Sequence, residues 1–333
     1  MAQAKPSTDD DALAAAVTGG DRRALARAIT LIESTRPDHR VEAEALLARL
    51  LPATGNAVRI GISGAPGVGK STFIESFGLH LIEQGHRLAV LAVDPSSPLS
   101  GGSILGDKTR MQELARNERA FIRPSPSAGT LGGVARRTRE AGLACEAAGF
   151  DVVIMETVGV GQSETAVADM VDLFVLLLPP AGGDELQGLK KGIVELADLI
   201  VVNKADGDLE PAANRAVAEY VAAVHMLRPA NAGWMTPVLK VSALHRRGLD
   251  QVWKEINRFR ATMGERRLAN KRARQARAWM WNEIEEGLIA ALRGHPEVAR
   301  RLDELEARVA AGALTPTAAA KAILEDFRGR PKG

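Results

Sequence analysis

Val58-Arg59-Ile60-Gly61-Ile62-Ser63-Gly64-Ala65-Pro66-Gly67-Val68-Gly69-Lys70-Ser71-Thr72-Phe73 is the stretch that decides the fold. Residues 58–62 form a short apolar run, and a helical pattern covers 73–82. Between them, Gly64-x-x-x-x-Gly69-Lys70-Ser71 has the spacing of a loop that cradles phosphates, in the strand–loop–helix context such a loop requires. Glycines are needed there because the backbone turns its N–H groups inward in conformations a Cβ would obstruct. The helix that follows adds the positive end of its dipole. Ala65, Pro66, Val68 and Thr72 complete the loop and its entry into the helix. Lys70 is expected to reach the terminal phosphates, and the Ser71 hydroxyl to ligate a magnesium ion.

Outward from this loop, the same kind of run recurs at 88–93, 152–155, 173–178, 199–202 and 238–241. Helical segments separate most of these runs. Near-continuous apolar strands alternating with helices predict an α/β fold, a mostly parallel P-loop NTPase sheet covered by helices on both faces. Helical extensions are expected at both ends. Residues 1–55 carry three helical stretches, with Asp21 as the cap of the second and Leu25, Ile29 and Ile32 on one stripe. Beyond about residue 247 no strand signal remains, and a long helical pattern places Trp281, Ile284, Leu288 and Leu292 at spacings of three and four. Thr315-Pro316 starts a last helix. The expected organisation is 1–55 as an N-terminal extension, 56–261 as the P-loop domain, and 262–333 as a C-terminal helical arm that joins two copies of the chain.

A second segment, Asn203-Lys204-Ala205-Asp206, follows the run at 199–202 and matches the [NT]-K-x-D pattern that specifies guanine. An aspartate there accepts two hydrogen bonds from the ring and exocyclic nitrogens of guanine, a donor pair that adenine lacks. The wrong base leaves a buried acceptor unpaired. Lys204 is expected over the base plane, and Asn203 as a tie back to the phosphate loop. Ser242-Ala243-Leu244, after the last run, offers backbone to the guanine carbonyl.

Acidic candidates end other strands. Asp94, in Val93-Asp94-Pro95-Ser96-Ser97, is expected at the carboxyl end of the sheet, where ligands bind. Asp107 is a further magnesium candidate or a helix cap. Glu156-Thr157-Val158-Gly159 stands where Ras-like GTPases carry D-x-x-G. The Glu156 carboxylate can hold magnesium through water, and the Gly159 N–H can read the γ-phosphate. Gln162 is the candidate for orienting water. The position directly after the glycine holds Val160, so slow intrinsic turnover is expected, accelerated by a partner. The stretch from Pro179 to Lys190, with Asp184, reads as a switch loop or an ordinary strand-to-helix connection.

Composition excludes some classes. With 43 basic and 41 acidic residues the formal net charge is only +2, so no global field for nucleic acid or an anionic membrane is implied. The basic run 266–277 reads as a solvated helix face without the aromatics that RNA binding uses. No apolar run approaches a membrane span and the N-terminus lacks a signal core, so a cytoplasmic protein is expected. A single cysteine, Cys145, excludes an intramolecular disulfide. The six histidines show no ligand spacing. Trp253, Trp279 and Trp281 are expected as packing anchors, within the chain or between copies.

Taken together, Gly64 to Ser71, Val93-Asp-Pro-Ser-Ser97, Gly101 to Met111, Glu156-Thr-Val-Gly-Val-Gly-Gln-Ser163 and Asn203-Lys-Ala-Asp206 closely resemble the methylmalonyl-CoA mutase-associated GTPases, the MeaB/ArgK family. The resemblance covers almost the whole chain. It implies a SIMIBI-class fold, GTP/GDP with Mg2+ as ligands, a homodimer, and a chaperone role for an adenosylcobalamin-dependent methylmalonyl-CoA mutase. Such proteins assist cofactor loading and protect or reactivate the mutase. It also implies a mobile loop over 179–190, in which Asp184 and Lys190 would act. The competing class is a kinase that passes the γ-phosphate to an acceptor, but no acceptor pocket or base is evident. Nickel-insertion GTPases share the fold class, but their His or Cys clusters are missing.

Overall fold

A computed structural model describes residues 8–93, 111–124, 131–157, 163–180, 191–226 and 231–329. Seven strands form one sheet: β1 (Val58–Gly64), β2 (Leu88–Val93), β3 (Ala120–Arg123), β4 (Val152–Thr157), β5 (Leu173–Leu178), β6 (Leu199–Val202) and β7 (Val238–Lys240). Their order is β3-β2-β4-β1-β5-β6-β7, and every neighbouring pair is parallel. The expected α/β sheet is therefore present, and every residue of β1, β2, β4, β5 and β6 is buried. Strands covered on both faces favour apolar side chains at most positions, which is why these five read as near-continuous runs. The sequence reading omitted β3. It has four residues at a sheet edge, and only Ala120 and Phe121 are buried, so it carries no continuous apolar signature.

The loop after β1 leads into helix α4 (Lys70–Glu83), three residues earlier than the apolar pattern alone indicates. Phe73, Ile74, Phe77 and Leu81 of α4 pack into the main core with Ile60, Ile62, Ile154 and Leu173. Val252, Trp253, Ile256, Phe259 and Met263 enter the same core from α10 (Leu249–Arg293). Trp253 is thus the packing anchor it was expected to be.

Three N-terminal helices precede the sheet: α1 (Thr8–Thr18), α2 (Arg22–Glu33) and α3 (Pro37–Leu50); α5 (Gln112–Arg116), α8 (Lys191–Leu196) and α9 (Glu210–Met226) lie between successive strands. The Asp21 carboxylate caps α2 by accepting from the Arg23 N–H at 2.7 Å and the Ala24 N–H at 3.1 Å. Leu25, Ile29 and Ile32 form its buried stripe. The three helices pack against α6 (Leu131–Ala147) and belong to the same compact unit as the sheet, which ends at Arg272.

Two residues of the basic run depart from the solvated face expected of it. The Arg272 guanidinium grips the Asp172 carboxylate in two places, Nε to Oδ1 at 2.8 Å and Nη2 to Oδ2 at 2.6 Å. It also donates to the carbonyls of Gly55 and Ala57. Lys271 donates to the Asp172 carbonyl at 2.6 Å. Asp172 Oδ2 also accepts the Arg59 N–H at 3.0 Å, and the Arg59 side chain pairs with buried Glu146 at 2.5 Å. This network fastens α10 to the amino ends of β1 and β5. Between Met263 and this fastening the helix breaks at Gly264, whose φ of 65° and ψ of 161° are not helical.

The second unit begins at Ala273. It contains the rest of α10, then α11 (Pro296–Ala310) and α12 (Pro316–Arg328). Thr315 caps α12, its hydroxyl accepting the Ala318 N–H at 3.3 Å. Val298, Leu305 and Ala319 are buried here, and Arg301 pairs with Asp326 at 2.6 Å. On α10, Met280, Trp281, Leu288 and Ile289 are exposed, so Trp281 is not an anchor within the chain.

Replacing Arg272 by Met leaves Asp172 as a buried, partly unpaired carboxylate. Breaking such a pair costs about 3 kcal/mol. Equilibrium urea unfolding followed by tryptophan fluorescence should show a lower midpoint; an unchanged midpoint would mean the network adds nothing to stability.

Candidate nucleotide site

The carboxyl edge of the sheet gathers the two halves of the candidate site. β1 ends at Gly64, where a Cβ would collide with the Leu177 carbonyl oxygen of β5. At Gly69 the chain takes a φ of 91°, the left-handed region, and caps α4. A Cβ there would stand 2.8 Å from the Asn203 side-chain nitrogen. Both glycines of the phosphate motif are thus fixed by neighbours on other strands as well as by backbone conformation. The first N–H groups of α4 have no acceptor within the helix and face the loop end, as an anion site requires.

Lys70 opens α4 and is half-buried. Its ammonium donates to the Gly64 carbonyl at 2.6 Å and the Ala65 carbonyl at 3.3 Å. Burial pushes this ammonium below its usual range, while the charges of Glu156 and Glu164 work in the opposite direction. Both carboxylates are buried, Glu156 at the end of β4 and Glu164 at the start of α7 (Ser163–Ala168). Beside Glu156, the Thr157 hydroxyl donates to the Ser63 hydroxyl at 2.8 Å, joining the ends of β4 and β1.

Asn203 lies at the end of β6 and is 1% exposed. Its Nδ2 donates to the Val68 carbonyl at 2.9 Å, and its Oδ1 accepts the Ala243 N–H at 3.1 Å. The expected tie to the phosphate loop is therefore present, and it extends to the 242–244 segment. Lys204 is exposed and holds a φ of 58°, unusual for a residue with a side chain. Backbone strain of this kind collects at ligand sites. Ala205 donates to the Val241 carbonyl at 3.0 Å, and the Ser242 hydroxyl donates to the Asp206 carboxylate. Leu244 is 71% exposed.

The described structure brings together Gly64 to Thr72, Glu156, Asn203, Lys204, Asp206 and Ser242 to Leu244 along one sheet edge. Asp94, Asp107, Gly159, Gln162, Asp184 and Lys190 lie outside the described residues. Among the described residues no group of three His, Cys, Asp or Glu could hold a metal. The sequence reading missed two polar residues. Glu164 is a buried acid only two positions beyond Gln162. Ser76 stands between Phe73 and Phe77, and a hydroxyl set into an apolar helix face was its signal. No helix among the described residues is long and apolar enough to cross a membrane.

Comparison with known proteins bears on what this edge binds. The family model described as methylmalonyl Co-A mutase-associated GTPase MeaB matches residues 25–297. A Caulobacter vibrioides protein named as a GTPase is 58% identical over 326 residues, 97% of this chain and 99% of its own length. The mouse methylmalonic aciduria type A homolog, a mitochondrial protein, is 51% identical over 333 residues, 96% of this chain and 80% of its own. Among solved structures, one described as an LAO/AO transport system kinase superposes with a TM-score of 0.78 at 39% identity, covering 98% of this chain and all of that one.

Gly69→Ala tests the cradle. Its Cβ would press on the Asn203 amide and would also be held in the left-handed region. Affinity for GDP, measured by calorimetry, is expected to fall by about tenfold or more; wild-type affinity would contradict the geometry.

Proposed function

The chain belongs to the family of methylmalonyl-CoA mutase-associated GTPases, and we propose that it binds GTP with magnesium and hydrolyses it slowly to GDP and phosphate. In doing so it serves as a chaperone of an adenosylcobalamin-dependent methylmalonyl-CoA mutase, assisting cofactor loading and protecting or reactivating that enzyme. The observation that carries the nucleotide reading is the Asn203 amide. It joins the phosphate loop at Val68 to the segment at Ala243, which supports reading the two as parts of one nucleotide site. The mutase role is supported by the names of the family and of the mouse relative.

Hydrolysis in this site is a matter of position and charge. The loop N–H groups and the start of α4 hold the phosphates, and the Lys70 ammonium, turned from the Gly64 and Ala65 carbonyls, meets the charge that develops on the γ-phosphoryl oxygens. The Ser71 hydroxyl and the Glu156 carboxylate are hard oxygen donors suited to magnesium, Glu156 through water. Bound there, the ion would neutralise phosphate charge. Asp206 would accept from the guanine N1–H and 2-amino group, with Lys204 over the ring. Asp94, Asp107, Gly159 and Gln162 complete the proposed site, and the 179–190 loop, with Asp184 and Lys190, is proposed as a switch.

A homodimer is part of this reading. The exposed apolar residues Trp281, Ile284, Leu288 and Ile289 on α10 support it, because a stripe of this kind needs a cover. A monomeric mass in solution, with and without nucleotide, would reject it. The kinase name of the similar solved structure favours a second reading, γ-phosphoryl transfer to an acceptor. Incubation with γ-labelled GTP and the mutase separates the two: label in free phosphate alone supports hydrolysis, and stable label on an acceptor supports transfer.

Lys70→Ala should lower the hydrolysis rate by at least about a hundredfold in a phosphate-release assay. Turnover at the wild-type rate would remove Lys70 from the reaction. Asp206→Asn should erode the preference for GTP over ATP in competition binding, and undiminished discrimination would displace the base site from this segment.

A further inference from the structure

Ser76 lies on the buried face of α4, outside the phosphate motif of residues 64–71. Its hydroxyl donates to the Ala243 carbonyl at 2.8 Å, across 167 positions of sequence. The same carbonyl accepts the Arg246 N–H at 3.3 Å. Ala243 is therefore held at both ends, its N–H by Asn203 Oδ1 at 3.1 Å and its C=O by Ser76.

The N–H groups around it are committed as well, with one exception. Ser242 N–H donates to the Arg247 carbonyl at 3.1 Å, His245 N–H to the Ser242 hydroxyl at 3.2 Å, and Arg247 N–H to the Ser242 carbonyl at 3.0 Å. Between Ser242 and Arg247, the N–H of Leu244 alone finds no acceptor among the described residues. That N–H belongs to the same peptide unit as the Ala243 carbonyl. In a planar trans peptide the C=O and N–H point in opposite directions, and the described chain has no cis bonds. A hydroxyl that draws the Ala243 carbonyl inward thus turns the Leu244 N–H outward, where the loop is exposed.

We propose that Ser76 is a positioning residue for guanine: by anchoring the Ala243 carbonyl it aims the Leu244 N–H at the 6-carbonyl of the base. This rests on the guanine-site reading above. The selectivity gained is against purines with no oxygen at C6, for which the aimed N–H finds no acceptor. Asp206 reads the N1–H and the 2-amino group, so the two contributions are separated by changing Ser76 while Asp206 is kept.

The test compares GDP with 2-aminopurine riboside diphosphate, which keeps the 2-amino group and lacks both the 6-oxygen and the N1–H; the N1–H loss falls at Asp206, is the same in every variant, and cancels in each variant's ratio to wild type. Equilibrium binding of both is measured on the full chain for wild type, Ser76→Ala, Ser76→Cys and Ser76→Thr, with thermal melting of each. Ser76→Ala should weaken GDP binding about five- to tenfold, the loss expected from one misaimed hydrogen bond, and leave the 2-aminopurine nucleotide within about twofold of wild type. Ser76→Cys, nearly isosteric with a weak donor, should follow Ser76→Ala, and Ser76→Thr, which keeps the hydroxyl, should restore GDP affinity. Equal weakening of both nucleotides, or of neither, overturns the proposal while leaving the guanine site standing. Failure of the wild type to prefer GDP over the 2-aminopurine nucleotide overturns both.

Discussion

The side-chain amide of Asn203 is where the glycine loop after β1 and the segment after β7 are joined. β1 and β6 are not neighbours, because β5 lies between them, so no ladder hydrogen bond can fix their loops to each other. One buried amide spans the gap, its NH2 on the Val68 carbonyl and its oxygen on the Ala243 N–H. Its orientation is forced, since a flipped amide would set oxygen against carbonyl and donor against donor. In this buried setting both bonds count, because an unmade one would leave a polar group stranded. The glycine at position 69 follows from the same bond, for the amide nitrogen occupies the space a Cβ would need.

The two edges of the sheet differ in how fully their polar groups are satisfied. At the amino edge, Arg272, Asp172, Arg59 and Glu146 close on one another, and Asp198 accepts from the Phe174 N–H at 3.0 Å and from Asn231 at 2.5 Å. That edge is a finished structure that holds α10 in place. At the carboxyl edge, α4 presents unpaired N–H groups, Lys70 rests on two backbone carbonyls, and Lys204 is held at a positive φ. Groups in this state gain more from a bound anion and base than satisfied ones would. Conserving rigidity at one edge leaves the other free to exchange partners.

Much of this could be read from the residues. Strands buried on both faces announce themselves through Val, Ile and Leu, and the spacing of Gly64, Gly69, Lys70 and Asn203 already suggests that they meet at one sheet edge. What escaped the reading depended on distance across the fold. β3 pairs by its backbone at an edge, where its side chains need not be apolar. Lys271 and Arg272 look like any other cations in a basic run, and only the position of Asp172, 100 residues earlier, removes them from solvent. Glu164 reads as a helix-start acid until burial brings its charge to bear on Lys70. Gly264 gives no warning of a break, because one glycine in a long helical pattern is compatible with an unbroken helix.

Helix α4 gathers these threads. Its first turn follows directly on Gly69, and five residues after Ser71 the Ser76 hydroxyl holds the loop beyond β7. Phe73 and Phe77 flank that serine, and their rings stack at 5.5 Å within the main core. A rotation of α4 that lifted its first turn from the glycine loop would also pull the Ser76 hydroxyl from the Ala243 carbonyl. Packing resists such a rotation, since cores at this density give way in discrete steps and not by smooth deformation. The same rigid element therefore sets the spacing between the glycine loop and the 242–244 segment before any ligand arrives.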